Sequence, residues 1–252
     1  MPTHDAEAIV LRHYSLGEAD RIVVFFSREF GKIRAVGAGA KKTSSRLAGA
    51  LEPLNHLRIQ FYGREGSELY HIRQCEIVHA YLGRNPVPER FYAFSYFAEA
   101  ISEFVQENNA SPQVFRLLLA TLDASEKNGI SEALVRYFEV WLLKLNGLLP
   151  DYAYCSNCGE CVKGNEFFAS AHAGLALCSR CAKGRGYRIG PETSALIGEI
   201  MVRRPDAFAS RPLGNPIAHE LETLTQLLLV TNLERRLKSY QGLKQILKNG
   251  LR

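Results

Sequence analysis

Two Cys-x-x-Cys pairs constrain this chain more than any other feature of its 252 residues. Cys155 and Cys158 form the first pair, Cys178 and Cys181 form the second, and 19 residues lie between them. Two such turns present four thiolates, which complete the tetrahedral sphere that zinc prefers at about 2.3 Å from each sulfur. Because four thiolates leave no open coordination position, the spacing predicts one structural zinc ion that staples a hairpin with little core of its own.

Two further side chains leave the ligand set open. Cys161 is spaced from Cys158 as a pair would be, so the first pair has an alternative, and His172 is an alternative ligand. A glycine follows Cys158, whereas a valine follows Cys161, and such a turn often needs the positive φ that glycine permits. This favours Cys155 with Cys158. Cys75 lies far from the cluster and is predicted to be a packed thiol.

Familiar catalytic motifs do not fit the chain. His172 is not followed by the Glu of a zinc deaminase, and Leu177 stands where that motif needs a proline before Cys178. The segment 37–43 is similar to a phosphate-binding P-loop but lacks the glycine directly before Lys-Thr. These motifs therefore give no support for catalysis, and a zinc enzyme acting on nucleic acid is kept as a lesser hypothesis.

Composition limits the class and the compartment. Hydrophobic residues make up 46% and charged residues 23%, which is typical of a globular chain with a buried core. Six cysteines, five of them between Cys155 and Cys181, indicate a reduced, cytoplasmic protein with a metal site rather than a disulfide scaffold. The acidic N-terminus and the lack of long apolar runs predict neither a signal peptide nor a membrane contact.

The net charge of +5 is unevenly distributed. Residues 84–154 are net acidic and lie between net basic ends, and no acid occurs between Glu29 and Glu52. A one-signed window of this kind is suited to the phosphates of nucleic acid, and the alternative is an ordinary solvated barrel surface.

The N-terminal third is rich in β-branched and aromatic residues with period-two alternation. Five strands are predicted, near residues 8–11, 21–26, 32–36, 57–62 and 69–82. This is the count of a small barrel. An SH3-like barrel fits nearly as well, but the long link over residues 40–54 favours the OB-fold, which carries a helix there.

The acid-free window covers the third strand and that link. Lys32 and Arg34 alternate with apolar residues, which predicts that both cations point to solvent from one face. The link adds Lys41, Lys42 and Arg46 among hydroxyl side chains. These five cations are therefore candidates for a surface that binds nucleic-acid phosphates, with an ordinary solvated surface as the alternative.

Beyond residue 88 the apolar period becomes helical, with core positions at Phe94, Phe97, Phe138 and Trp141. Helices are also expected after Pro191 and, as one final stretch, from Asn215 to Leu247. The fold class is an α+β multidomain protein. Its N-terminal five-stranded OB-fold barrel spans residues 1–82, and an α-helical domain spans 83–252 with a zinc-finger module inserted at about 152–188.

The C-terminal cations Lys244, Lys248 and Arg252 are spaced to share a helix face. We interpret them first as a solvated face near a helix end, with auxiliary DNA contact as the alternative.

The chain resembles the RecO family of bacterial recombination mediator proteins. The resemblance rests on residues 8–21, on the run from Gly31 to Arg46, on Leu51-Glu52-Pro53-Leu54 and on the cysteine pairs. It extends in order over nearly the whole length. It departs from the family at Cys161, an additional thiol in the metal loop, and at Ala173, where a glycine is common.

The resemblance implies a non-enzymatic DNA repair protein of the bacterial cytoplasm and nucleoid. Such proteins bind single- and double-stranded DNA, anneal complementary strands and, with RecR, promote loading of RecA onto strands coated by single-strand-binding protein. The family's DNA contacts fall on Lys32, Arg34, Lys41, Lys42 and Arg46, and its zinc ligands on Cys155, Cys158, Cys178 and Cys181. The alternative hypothesis is a zinc-stapled protein-interaction adaptor without a direct DNA role.

Barrel aromatics are further candidates for contact with DNA bases, because every base has a face on which a ring can stack. The candidates are Tyr14, Phe26, Phe61 and Tyr62. Each is at least as consistent with a place in the barrel core or rim, so none is assigned to the site.

Overall fold

A computed structural model describes residues 2–42, 45–64, 66–83 and 87–249. The described chain divides into two compact units. One contains the residues up to Arg116 together with those from Ser239 onward, and the other spans Leu117–Lys238. The expected division at residue 82 marks the end of the barrel, and it remains a prediction about where independently folding domains meet.

The N-terminal unit is built on a closed five-stranded barrel of strand order β1-β2-β3-β5-β4, which confirms the predicted OB-like fold. All neighbours are antiparallel except β3 and β5, which pair in parallel. The strands are β1 Thr3–Leu16, β2 Asp20–Ser27, β3 Gly31–Gly37, β4 Asn55–Tyr62 and β5 Tyr70–Ala80.

Alternate strand residues fill the barrel, as the period-two pattern predicted. Leu57, Ile59 and Phe61 on β4 point inward, where they meet Phe25 of β2 and Ile33 of β3. The expected helix in the long link is α1, Arg46–Ala50, which follows β3 and packs its apolar side on this core. Ser45 caps α1, because its hydroxyl accepts a hydrogen bond from the Leu47 amide.

The edge of β3 is completed by the segment that follows α2 (Pro88–Phe104). β5 pairs with β3 at Ala35 and Val36. Nearer the start of β3, the Lys32 amide donates to the Gln106 carbonyl at 3.4 Å, and the Asn108 amide donates to the Lys32 carbonyl at 3.0 Å. The unpaired edge groups of a strand are thereby satisfied by backbone from another element.

The final helical stretch is not continuous, which corrects the sequence-based expectation. α7 (Asn215–Leu233) ends where Glu234 adopts a left-handed φ of 55°, and a separate helix, α8 (Tyr240–Asn249), follows. α8 belongs to the first unit and packs on α2, where Glu99 accepts hydrogen bonds from the amide and hydroxyl of Ser239 at 2.8 and 2.5 Å. Arg252 lies outside the described residues.

The second unit is mainly helical and carries a small sheet of order β7-β6-β8. A buried ion pair joins Arg136 and Glu139 on one helix at 2.6 Å, and Thr225 on α7 hydrogen-bonds both side chains. The elements are α3 Pro112–Asn128, which begins in the first unit, α4 Glu132–Leu145, β6 Phe167–Ala169, β7 Ala176–Leu177, α5 Ser179–Ala182, β8 Tyr187–Ile189, α6 Pro191–Val202 and a 3-10 turn at Pro205–Ala207.

Most helix boundaries follow the capping signals of the sequence. Ser131 accepts a hydrogen bond from the Leu134 amide at 3.1 Å, as expected of an N-cap, and Pro191 opens α6. Across the residues that the structure describes, no helix is both long enough and apolar enough to cross a membrane.

Gly31 offers a test of how the segment after α2 docks on β3. Its φ is +71°, and an added Cβ would lie 2.0 Å from the Asn109 carbonyl oxygen, whereas Gly17 has a φ of +56° with nothing within 4 Å. Gly17→Ala should cost about 1–2 kcal/mol of unfolding free energy from backbone strain alone. Gly31→Ala should cost roughly 2 kcal/mol more because of the clash. Urea unfolding measures both, and equal losses would contradict the docking.

Candidate functional site

Local backbone geometry brings the two cysteine pairs together. Gly159 adopts a φ of +73°, and its amide donates to the Cys155 carbonyl at 2.9 Å, which closes the first turn. Cys178 is the N-cap residue of α5, and Cys181 lies within this short helix. The sulfurs of Cys155, Cys158, Cys178 and Cys181 all lie within 4.8 Å of one another.

The geometry of this thiol cluster fits a tetrahedral metal ion. The Cys158 and Cys178 sulfurs are 3.7 Å apart, close to the roughly 3.8 Å edge of a tetrahedron with 2.3 Å metal–sulfur bonds. Cys161 is exposed and pairs its backbone with Tyr154, and His172 is exposed as well. The structure thus gathers the four cysteines of the favoured set and leaves both alternative ligands outside it.

Electrostatics shift the cluster thiols in different directions. A backbone hydrogen bond from Glu160 lowers the pKa of Cys158, but contacts with the Cys181 and Cys155 side chains outweigh it and raise that pKa. A backbone hydrogen bond from Cys181 lowers the pKa of Cys178, but burial and the Glu160 side chain together raise it.

The pKa of Cys155 is shifted the other way. Burial raises the pKa of the Cys155 thiol, but hydrogen bonds from the backbone of Cys178, Cys158 and Asn157 outweigh it and lower that pKa to about 6. The Asn157 side-chain amide also donates to the Cys181 sulfur at 3.3 Å. Thiolate is the form that binds a metal, so the lowered pKa suits Cys155 to the role of a metal ligand.

Cys75, outside the cluster, is partly buried against the barrel core, as predicted. Burial raises the pKa of its thiol to about 11, which keeps it protonated and unreactive at neutral pH.

The structure places the predicted basic residues in different environments. Lys32 and Arg34 share the outer face of β3, as expected, but the expectation that both point freely to solvent is wrong for Lys32. Its ammonium donates to the Ser102 carbonyl of α2 at 2.7 Å, and partial burial lowers its pKa against the opposing effect of Glu107. Arg34 is exposed and forms a salt bridge with Glu107.

The turn after β3 holds the next two lysines. The Lys41 ammonium donates to the Gly17 carbonyl at 2.6 Å and its amide donates to Ala19 at 2.9 Å, so the turn is tied to the β1–β2 connection. Lys42 is exposed. Arg46 is the first residue of α1, and its side chain lies outside the described part of the structure.

Arg12 on β1 is a cation of this face that the sequence analysis missed. It is exposed, and its charge contributes to the lowered pKa of Lys32. It lies before the acid-free window, so charge counting passes over it. The sequence signal that could have found Arg12 is its position two residues before Tyr14, because strand residues two apart share a face.

The four candidate aromatic side chains differ in how far they are buried. Phe26 and Phe61 are fully buried, and Tyr62 is partly buried and stacks on His71. Tyr14 is exposed.

A closed OB-like barrel with exposed cations on its outer face and a mainly helical unit with a four-cysteine cluster that can hold a metal ion define the class of fold. Models of two sequence families match the chain: "Recombination protein O N terminal" over residues 1–81 and "Recombination protein O C terminal" over residues 86–241. Together they cover nearly the whole chain.

Relatives named "DNA repair protein RecO" match over nearly their full length. The protein from Koribacter versatilis is 34% identical over 92% of this chain and 94% of its own. The protein from Geobacter metallireducens is 30% identical over 98% and 99%. The chain belongs to the RecO family of DNA repair proteins, and the resemblance stated from its sequence is confirmed.

Metal content tests the ligand set. The unsubstituted protein and Cys161→Ser should each retain about one metal ion per chain after gel filtration, because Cys161 lies outside the cluster. Cys178→Ser should lose the metal and loosen residues 152–188, since the sphere cannot close on three thiolates. Elemental analysis with limited proteolysis measures both effects. Loss of metal from Cys161→Ser would contradict the assignment.

Proposed function

We propose that the protein is a non-enzymatic DNA-binding protein of recombinational repair, which binds single- and double-stranded DNA and anneals complementary strands. With RecR, it promotes RecA loading on strands coated by single-strand-binding protein. The observation that carries the proposal is the set of cations on one region of the barrel, Arg34, Lys41 and Lys42, within a window that holds no acid. Membership of the RecO family supplies the repair context.

Phosphate neutralisation supplies the binding energy on such a surface. Each lysine or arginine that contacts a phosphate releases condensed counterions, so affinity falls steeply with salt and depends little on sequence. A protein that neutralises two strands lowers the repulsion between them. Annealing then needs no chemical step, and none of the cations has to act as an acid or base.

The five predicted DNA contacts take different roles in this proposal. Lys41 is oriented by its bond to Gly17 and retains two further N–H donors for phosphate oxygens. Lys42 is exposed and free to follow the backbone of the strand. The planar guanidinium of Arg34 can bind a phosphate through two N–H groups once its salt bridge with Glu107 is broken. Lys32 mainly holds α2 on the barrel, and Arg46 remains a predicted contact.

The thiol cluster is proposed to bind one structural zinc ion through Cys155, Cys158, Cys178 and Cys181. Zinc suits four thiolates in a tetrahedron, and a bound ion would lock the turn around Gly159 to α5. The module around it has a small core, in which the rings of Tyr152 and Phe167 stack 5.0 Å apart. The metal therefore stabilises the fold of the module rather than taking part in a reaction.

RecR and single-strand-binding protein are proposed as protein partners, RecA as an indirect one, and the bacterial cytoplasm and nucleoid as the location. An annealing assay on complementary strands coated with single-strand-binding protein, run across a salt series with and without RecR, tests the function. Annealing that is stimulated by the protein and weakens with salt supports it. A stable complex with RecR but no annealing at any salt would favour the adaptor hypothesis instead.

The lysines of the turn should dominate the salt dependence. Lys41→Ala with Lys42→Ala should weaken binding to single-stranded DNA and reduce the slope of log K against log salt by about 0.7 for each lost contact. Lys127→Ala with Lys163→Ala removes the same charge from exposed positions elsewhere and is the matched control. Fluorescence anisotropy at several salt concentrations measures the slopes. An equal change in both double variants would reject the assigned surface.

Glu107 competes with DNA for Arg34. Glu107→Gln keeps the side-chain shape but removes the charge of the salt bridge, so affinity for single-stranded DNA should rise about three- to tenfold at low salt, the equivalent of about 1 kcal/mol. Glu126→Gln, at an exposed position on α3, controls for net charge. Anisotropy titration compares the two. A rise no greater than that of the control would show that Arg34 does not meet phosphate.

A further inference from the structure

The barrel register assembles a second row of side chains beside the predicted lysines. In the paired strands Arg12 stands opposite Val24, and Val24 stands opposite Arg34. Directly opposed residues share one face of a sheet, so Arg12 and Arg34 lie on the same outer face. They are two strands apart, at a backbone separation of about 10 Å.

Tyr14 lies in the next row of the same face, opposite Ile22. It is 48% exposed, more than any other tyrosine or phenylalanine of the described barrel strands. The Arg12 guanidinium carbon lies 5.5 Å from the centroid of its ring, a cation–π contact that restrains the ring without covering it with core. A half-exposed ring that a neighbouring cation holds in place leaves a face available for a base to stack on.

The β1–β2 connection brings this ring towards the lysine turn. Tyr14 is three residues before Gly17, whose carbonyl binds the Lys41 ammonium. The face therefore offers a stacking ring with the Arg12–Arg34 row on one side and the Lys41 ammonium, bound at Gly17, on the other. Charge and aromatic surface alternate in this way in sites that bind single strands.

We propose that Tyr14 is a base-stacking position for single-stranded nucleic acid, with Arg12 and Arg34 neutralising phosphates on one side of the stacked base and Lys41 neutralising those on the other. This inference rests on the proposed function, because it assigns a subsite of that DNA-binding surface. It adds a distinction between ligands. An unpaired base exposes its face to the ring, whereas a base inside a duplex is covered by its neighbours, so Tyr14 serves single strands and contributes little to duplex binding.

Three probes of equal length separate stacking from charge: a thymidine oligonucleotide, the same sugar–phosphate chain with abasic sites, and a duplex. Tyr14→Ala should weaken binding to the thymidine strand about 5- to 150-fold, which corresponds to ~1–3 kcal/mol for one stacked base. Binding to the abasic strand and the duplex should change less than twofold. Tyr14→Phe should retain the affinity of the unsubstituted protein, since it keeps the ring.

Leu16→Ala is the matched control, because Leu16 is a neighbouring exposed apolar residue on β1. Thermal unfolding checks that each variant is folded. Equal weakening on the thymidine and abasic strands, or no weakening on either, would overturn the stacking role while leaving the DNA-binding function intact. If the unsubstituted protein bound none of the three probes, the proposed function would be overturned, and this inference with it.

Discussion

Backbone pairing at the free edge of β3 is the constraint on which the N-terminal unit depends. The Lys32 amide and carbonyl both bond to the segment after α2, through Gln106 and Asn108. This pairing places the last turn of α2 over the Lys32 ammonium and Glu107 beside Arg34. One end of the cationic face is thereby held by helix and carboxylate, while the end near Tyr14 and Lys42 stays open to solvent.

The cysteine module, residues 152–188, differs from the barrel in having little core of its own. The barrel buries a continuous core, whereas a segment of about 35 residues with short strands buries little apolar surface. A metal ion held by the four clustered thiols would provide what the core lacks, because metal binding contributes directly to folding. In the proposed function the cations of the barrel therefore meet the DNA, and the cysteines maintain the structure of the module.

Local patterns were sufficient to predict the strands, the α1 link, the cap at Ser131 and the four clustered cysteines, because each depends on residues close in sequence. The contact of the Lys32 ammonium with α2 was not predictable in this way, since its partner, the Ser102 carbonyl, lies 70 residues away. The break after Leu233 also escaped a periodicity that continues on both sides of it. The spacing of Arg12 and Tyr14 puts them on one face, but which face that is depends on the register of β1, which shifts at a bulge between Val10 and Arg12.

The central claim is that DNA lies on the outer face of β1 to β3 and on the turn that follows. Photo-crosslinking tests it most directly: a single strand carrying 5-iodouracil is bound to the full-length protein, irradiated, and the modified peptides are identified by mass spectrometry. The account predicts crosslinks concentrated in peptides that contain residues 12–14 and 34–42. Crosslinks confined to the cysteine module at 152–188, with none on the barrel, would contradict it.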